Sequence, residues 1–99
     1  MDARVEKRKW KRVKTRLLAK IDEKSGILSD VSDNGVQISS NSIPEKKRVS
    51  IVFKWGEQTI VLKGMVQWVR RKYSFQNSLQ IGCLIEEAPQ EFYDFVKSH

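Results

Sequence analysis

Residues 12–22 read Arg12-Val13-Lys14-Thr15-Arg16-Leu17-Leu18-Ala19-Lys20-Ile21-Asp22. Val13, Thr15, Leu17, Ala19 and Ile21 fall on one side of an extended chain, and Arg12, Lys14, Arg16, Lys20 and Asp22 on the other. Successive side chains of a strand point to opposite faces, so this period of two marks a half-buried antiparallel strand. The downstream sequence repeats the theme. Glu23-Lys24-Ser25-Gly26 reads as a turn, Ile27 to Val31 as a second strand and Val36 to Ser39 as a third. Ser40 to Glu45 has loop composition. Val49, Ile51 and Phe53 alternate with Ser50, Val52 and Lys54 in a fourth strand that ends near Trp55-Gly56-Glu57. Gln58 to Arg71 is longer than an ordinary strand, and Gly64 inside it marks a bend or bulge. It reads either as two strands or as one strand that bends. Lys72 to Ser78 reads as a loop and Leu79 to Ile85 as the last strand. After Pro89 the spacing of Glu91, Phe92, Phe95 and Val96 turns helical. Many short strands followed by one helix predict an all-β barrel or sandwich with a helix packed on it.

Ninety-nine residues, 39% of them hydrophobic, with three Trp, four Phe and two Tyr, are enough for one packed core and too few for two. No apolar run approaches the roughly 20 residues needed to span a bilayer, and Met1-Asp2-Ala3-Arg4 leads into charge rather than an apolar signal core. The single cysteine, Cys83, sits in the apolar run Ile81 to Ile85 and reads as a buried, reduced core residue. A cytoplasmic domain without disulfides or metal is expected. The net charge is +7, and residues 1–24 hold ten Lys/Arg against four acids, so the excess sits at the N-terminal end. Such asymmetry points to an anionic partner met there: nucleic acid, an anionic lipid surface or a nucleotide.

Two short motifs narrow the choice. Arg8-Lys9-Trp10-Lys11-Arg12 reads RxxxR, at the junction between a polar, flexible basic arm (residues 1–11) and the domain that follows (residues 12–99). Arginine's planar fork matches phosphate oxygens and the O6/N7 edge of guanine bidentately. RxxxR alone is weak, because Arg12 and Arg16 repeat it four residues later. Asp30-Val31-Ser32-Asp33-Asn34-Gly35 reads DxSxxG, at the end of one strand and the tight connection to the next. Asp, Ser and Gly are common turn formers. On an extended chain, however, Asp30 and Ser32 point to the same side, where a carboxylate and a hydroxyl can accept from guanine N1–H and N2–H₂. Catalysis is not expected. The only histidine is His99, and the chain has no Cys–His pair, no metal-ligand cluster and no GxxxxGK[ST] loop.

These residues together resemble the PilZ domain, the bacterial receptor module for cyclic di-GMP. Lys7 to Val13 resembles the family's [RK]RxxxR entry, and Asp30 to Gly35 fits its [DN]xSxxG. Gly64-Met65-Val66-Gln67-Trp68 is similar to its GxVxW strand. Gln80 to Ile85 is similar to its closing strand, with Ile85 in the usual aromatic position. The resemblance runs from about Glu6 to Val96. It implies a six- or seven-stranded antiparallel β-barrel with a C-terminal α-helix and no enzymatic activity. It also implies that Arg8 and Arg12 hold guanine O6/N7 and the phosphates, that Asp30 and Ser32 bind a guanine base, and that Gly35 lets the backbone pass close. Trp68 and Gly82 receive no ligand role from it and read as core-packing residues. Lys7 stands where the family often has Arg, a position that influences whether one cyclic di-GMP or a stacked pair is bound. The expected function is a cyclic di-GMP sensor or adaptor whose arm orders on binding and signals to a protein partner. The alternative is a basic barrel that binds nucleic acid.

Overall fold

A computed structural model describes residues 12–71 and 79–98. The expected arm, with Lys7 and Arg8, and the expected loop from Lys72 to Ser78 lie outside the described residues.

Six strands form a closed antiparallel barrel: β1 (Val13–Ile21), β2 (Lys24–Val31), β3 (Gly35–Ser40), β4 (Arg48–Trp55), β5 (Gln58–Arg71) and β6 (Leu79–Glu87), followed by the helix α1 (Gln90–Lys97). Around the barrel the order is β1-β2-β3-β6-β5-β4. The alternation in β1 works as expected. Val13, Ala19 and Ile21 are buried, while Lys14, Arg16 and Lys20 are exposed. The inward residues of all six strands converge on Leu28, Ile38, Ile51, Ile60, Leu62 and Ile81, each without measurable exposure. Helix α1 adds Phe92, Phe95 and Val96 to that core, and Phe95 packs against Phe53 with ring centroids 5.2 Å apart. Pro89 stands at its N-cap in an extended conformation, which its missing N–H and fixed φ suit.

Gln58–Arg71 is one strand, the second of its two sequence readings, which makes the strand count six, while several element boundaries differ from the sequence reading. Gly64 does mark an irregularity, since the register with β6 shifts between Lys63 and Gly64. The first turn is only Asp22-Glu23, and β2 starts at Lys24. Both turn residues have positive φ (49° and 76°), as two-residue hairpin turns that follow the strand twist require. Asp22 is anchored from outside the hairpin: its N–H donates to the Ser50 carbonyl and its carboxylate accepts from the Ser50 N–H, both at 2.9 Å. Gly26, read as part of the turn, lies inside β2 between Ala19 and Ser40. The last strand also runs on to Glu87.

Bulges set the surface around the second motif. In β2 the register with β3 shifts between Leu28 and Asp30. Leu28 and Val31, three apart, are therefore both in the core, and Ser29 and Asp30 are left between them on the outer side. The β1–β2 register shifts opposite the same point, between Lys14 and Leu17, and the β5–β6 register shifts between Val66 and Trp68.

Candidate functional site

The residues displaced by those bulges surround one cleft. It has a volume of about 160 Å³, and Arg12, Asp30, Ser32, Gly35, Gln37 and Trp68 contribute to its wall. Four of the five primary residues read from the sequence, Arg12, Asp30, Ser32 and Gly35, thus share one surface despite lying up to 23 positions apart. The fifth, Arg8, and the secondary candidate Lys7 are outside the described residues. A larger cavity of about 900 Å³ lies between the Asp22-Glu23 turn and the loop around Ile43 and contains none of the RxxxR or DxSxxG residues. Its wall mixes Asp22, Glu23, Glu45 and Glu86 with Lys24, Lys46, Arg48 and Lys63, so it selects neither sign of charge.

Asp30 is the centre of the small cleft. It is buried (7% exposed) although it carries a carboxylate. Its Oδ2 accepts a hydrogen bond from Arg12 Nη2 at 3.1 Å. Its Oδ1 is buried and accepts nothing from the described residues. A buried acceptor left unmatched costs stability and calls for a partner, which water or a ligand can supply. Arg12 is the opposite case. Its side chain is 63% exposed, so most of its five donors remain available beside the carboxylate.

Ser32 is buried and serves the turn. Its hydroxyl donates to Asn34 Oδ1 (2.9 Å) and lies 3.3 Å from the Gly35 carbonyl, while the Asn34 N–H approaches it at 3.4 Å. The Ser32 N–H donates to the Gly35 carbonyl at 2.8 Å, and the Ile85 N–H donates to the Asn34 carbonyl at 2.9 Å, tying the turn to β6. The turn-forming reading of DxSxxG and its placement at a cleft therefore hold together. Gly35 runs close to β6, where a Cβ would stand 3.1 Å from the Cys83 carbonyl oxygen.

Trp68 was read as a packing residue; it packs, but outside the barrel core. It is paired across the strands with Gly82, and a Cβ on Gly82 would come within 2.2 Å of Trp68 Cε2 and 2.6 Å of Nε1. The indole thus lies against the bare Gly82 backbone. Arg70 is also at this ring, with Cζ 4.4 Å from the ring centroid, the geometry of a cation–π contact. Outward from there, Gln80 Nε2 donates to Gln37 Oε1 (3.0 Å) and Ser29 Oγ (3.1 Å), and Ser39 Oγ donates to Gln80 Oε1 (3.1 Å). Sequence reasoning missed this wall of Trp68 and Gln37, with Arg70 on the indole. The one available signal was the Trp–Gly pairing of two motif strands, which becomes visible only once their register is known.

The cleft can hold a flat polar group by its donor edge, against the Asp30 carboxylate and beside the Arg12 guanidinium. Cys83 is buried, and desolvation pushes its thiol up to about 11. Among the described residues, no group of three His, Cys, Asp or Glu side chains could hold a metal ion, and no helix is long and apolar enough to cross a membrane.

The PilZ domain family model matches residues 6–93. No curated protein matches the chain in sequence. Among solved structures, the Bacillus subtilis inhibitor of motility MotI/DgrA is similar, with a TM-score of 0.73 at 11% identity over 90% of this chain. The match covers 47% of MotI/DgrA, so the chain spans about half its length. At that identity the likeness speaks for the fold.

Proposed function

The chain belongs to the PilZ domain family, and from that premise we propose that it is a non-catalytic receptor for cyclic di-GMP that passes the signal to a protein partner. The observation that carries the reading is Asp30. A buried carboxylate with one oxygen unmatched, beside an exposed arginine, is complementary to a guanine base. The paired N1–H and N2–H₂ donors would meet Asp30. Arg12 would turn its remaining N–H groups to the O6/N7 edge or to a phosphate, where charge-assisted bonds are stronger than neutral ones. Ser32 holds the turn at the height where Asp30 and Gly35 face the ligand. Trp68, kept flat by Gly82, and Arg70 form a wall against which a second face of the ligand can lie.

Arg8 and Lys7 enter this proposal from the sequence. Residues 1–24 carry most of the positive charge, and a ligand with two phosphates lowers the repulsion within that segment. Binding then orders the arm over the cleft, and the newly formed surface is what a partner reads. The protein is proposed to act in the cytoplasm.

The test is a competition at about 150 mM salt, where non-specific phosphate contacts are already weakened. Labelled cyclic di-GMP should be displaced by unlabelled cyclic di-GMP but poorly by GMP or by a single-stranded oligonucleotide. Equal displacement by the oligonucleotide, with affinity falling steeply as salt rises, would assign the basic surface to nucleic acid instead.

A further inference from the structure

Strand β1 outruns its neighbour β4. The two pair only at Ala19, Lys20 and Ile21 against Phe53, Val52 and Ile51. β4 ends at Trp55 and turns back through Gly56-Glu57 into β5. Among the described residues, Val13, Lys14, Leu17 and Leu18 therefore have a strand partner on the β2 side only, and Thr15 and Arg16, at the register shift between them, are in register with neither neighbour. An unpaired edge of this kind presents main-chain N–H and C=O groups ready to pair with another chain.

Where the strands part, a cleft of about 240 Å³ opens on this edge. Lys14, Arg16 and Lys54 stand around it, and Leu17, Trp55 and Phe95 form its apolar part. No acidic residue lines it, in contrast to the mixed wall of the large cavity. None of the three cations is in an ion pair with a described residue. The apolar part is held in place from below: Trp55 meets Phe95 edge-on at 5.4 Å, and Leu17 packs on the core. Beside the cleft, Leu18 is 81% exposed and is paired across β1–β2 with Ile27.

We propose that this cleft docks an extended, acidic segment of a protein partner that carries a large apolar side chain. Its backbone adds to the free edge of β1 between Lys14 and Leu18. Its carboxylates meet Lys14, Arg16 and Lys54, and its apolar side chain seats against Leu17 and Trp55. The three cations favour an acidic occupant over a basic one such as the chain's own N-terminal sequence. The free strand edge favours a polypeptide over nucleic acid or lipid, because neither of those can continue a main-chain ladder.

Lys14 is two residues from Arg12, so the N-terminal half of β1 borders the Asp30 cleft on one side and this cleft on the other. Coupling between ligand and partner therefore runs through a single strand. The coupling rests on the cyclic di-GMP reading; the docking site itself does not.

The test uses the full chain and a seven-residue synthetic peptide alternating Glu with Leu and Trp, followed by fluorescence polarisation and by amide shifts of ¹⁵N-labelled protein. The peptide should bind with shifts centred on Lys14 to Leu18 and Lys54 to Gly56. The double variant Lys14→Glu/Lys54→Glu, both at exposed positions, should weaken binding by about tenfold or more. N-methylating alternate peptide amides should weaken it by a similar factor, because only strand addition needs those donors. Absence of binding, indifference to the double charge reversal, or preferential binding of an oligonucleotide or of phosphatidylglycerol vesicles through the same residues would overturn the proposal. Peptide binding in a protein that fails to bind cyclic di-GMP would overturn the receptor reading and leave the docking site standing.

Discussion

In the Asp30→Ala variant, stability and ligand affinity should move independently, because the carboxylate is poorly compensated in the free protein. Its one bond runs to Arg12, whose side chain is 63% exposed. Solvent screening limits such a pair to about 0–1 kcal/mol. Against that loss stands relief of the unmatched, buried Oδ1, which costs about 1–3 kcal/mol to keep dry. The net effect on folding lies between neutral and about 3 kcal/mol stabilising. Binding should respond oppositely. In the proposed binding mode the carboxylate is the acceptor for the guanine donor edge, and losing a charge-assisted contact costs about 1.5–3 kcal/mol, or roughly 10- to 150-fold in Kd. Calorimetric titration with cyclic di-GMP and thermal unfolding of the same two samples measure both quantities. A fall in Tm of more than about 5 °C with unchanged affinity would refute the reasoning, because Asp30 would then be a structural residue.

Gly82→Ala should swing the Trp68 indole off the strand, since the added Cβ would lie within 2.2 Å of the ring; a large shift of the Trp68 indole N–H resonance and weaker cyclic di-GMP binding are expected, and an unmoved resonance would contradict the packing described. Phe92→Ala removes a fully buried ring from the core and should cost about 3–5 kcal/mol in urea unfolding, whereas loss of less than 1 kcal/mol, by order of magnitude, would mean that α1 contributes little to the core. Cys83, pushed up to about 11 by burial, should resist a disulfide reagent at pH 8 until urea is added. The unfolded thiol ionises near the ordinary 9.0 and the folded one near 11, so the unfolded state binds fewer protons in between. Its contribution to stability is therefore present below pH 9 and is lost between pH 9 and 11; Cys83→Ser should flatten that part of the stability–pH curve.

The strands were legible because one face of each meets the core. Val13 to Ile21 and Val49 to Phe53 follow a period of two closely enough to place both residues and faces. The helix was legible from Phe92, Phe95 and Val96 after a proline. Boundaries set by turn geometry were not. Gly26 looked like a turn residue, whereas the turn consists of Asp22 and Glu23, held by a bond to Ser50 from a distant strand. The single strand Gln58–Arg71 could not be told from two, because pairing with two neighbours along its length decides the matter.

At the site, Arg12, Asp30, Ser32 and Gly35 were nameable from their residue types and spacing. Their meeting at one cleft depends on the bulge after Leu28, which has no signature in the sequence. The role of Trp68 was hidden for a similar reason. Only the bulge after Val66 sets its indole on Gly82 and outside the core. Sequence shows which side chains are available, and register irregularities decide which surface they reach.

The central claim is that Arg12 and Asp30 grip one guanine-containing ligand between them. Its most direct test is calorimetric titration of cyclic di-GMP into the wild-type protein and into Arg12→Ala. Saturable binding to the wild type is expected, with affinity reduced about tenfold or more in the variant. Equal affinities in the two proteins, or no binding to the wild type, would contradict the claim.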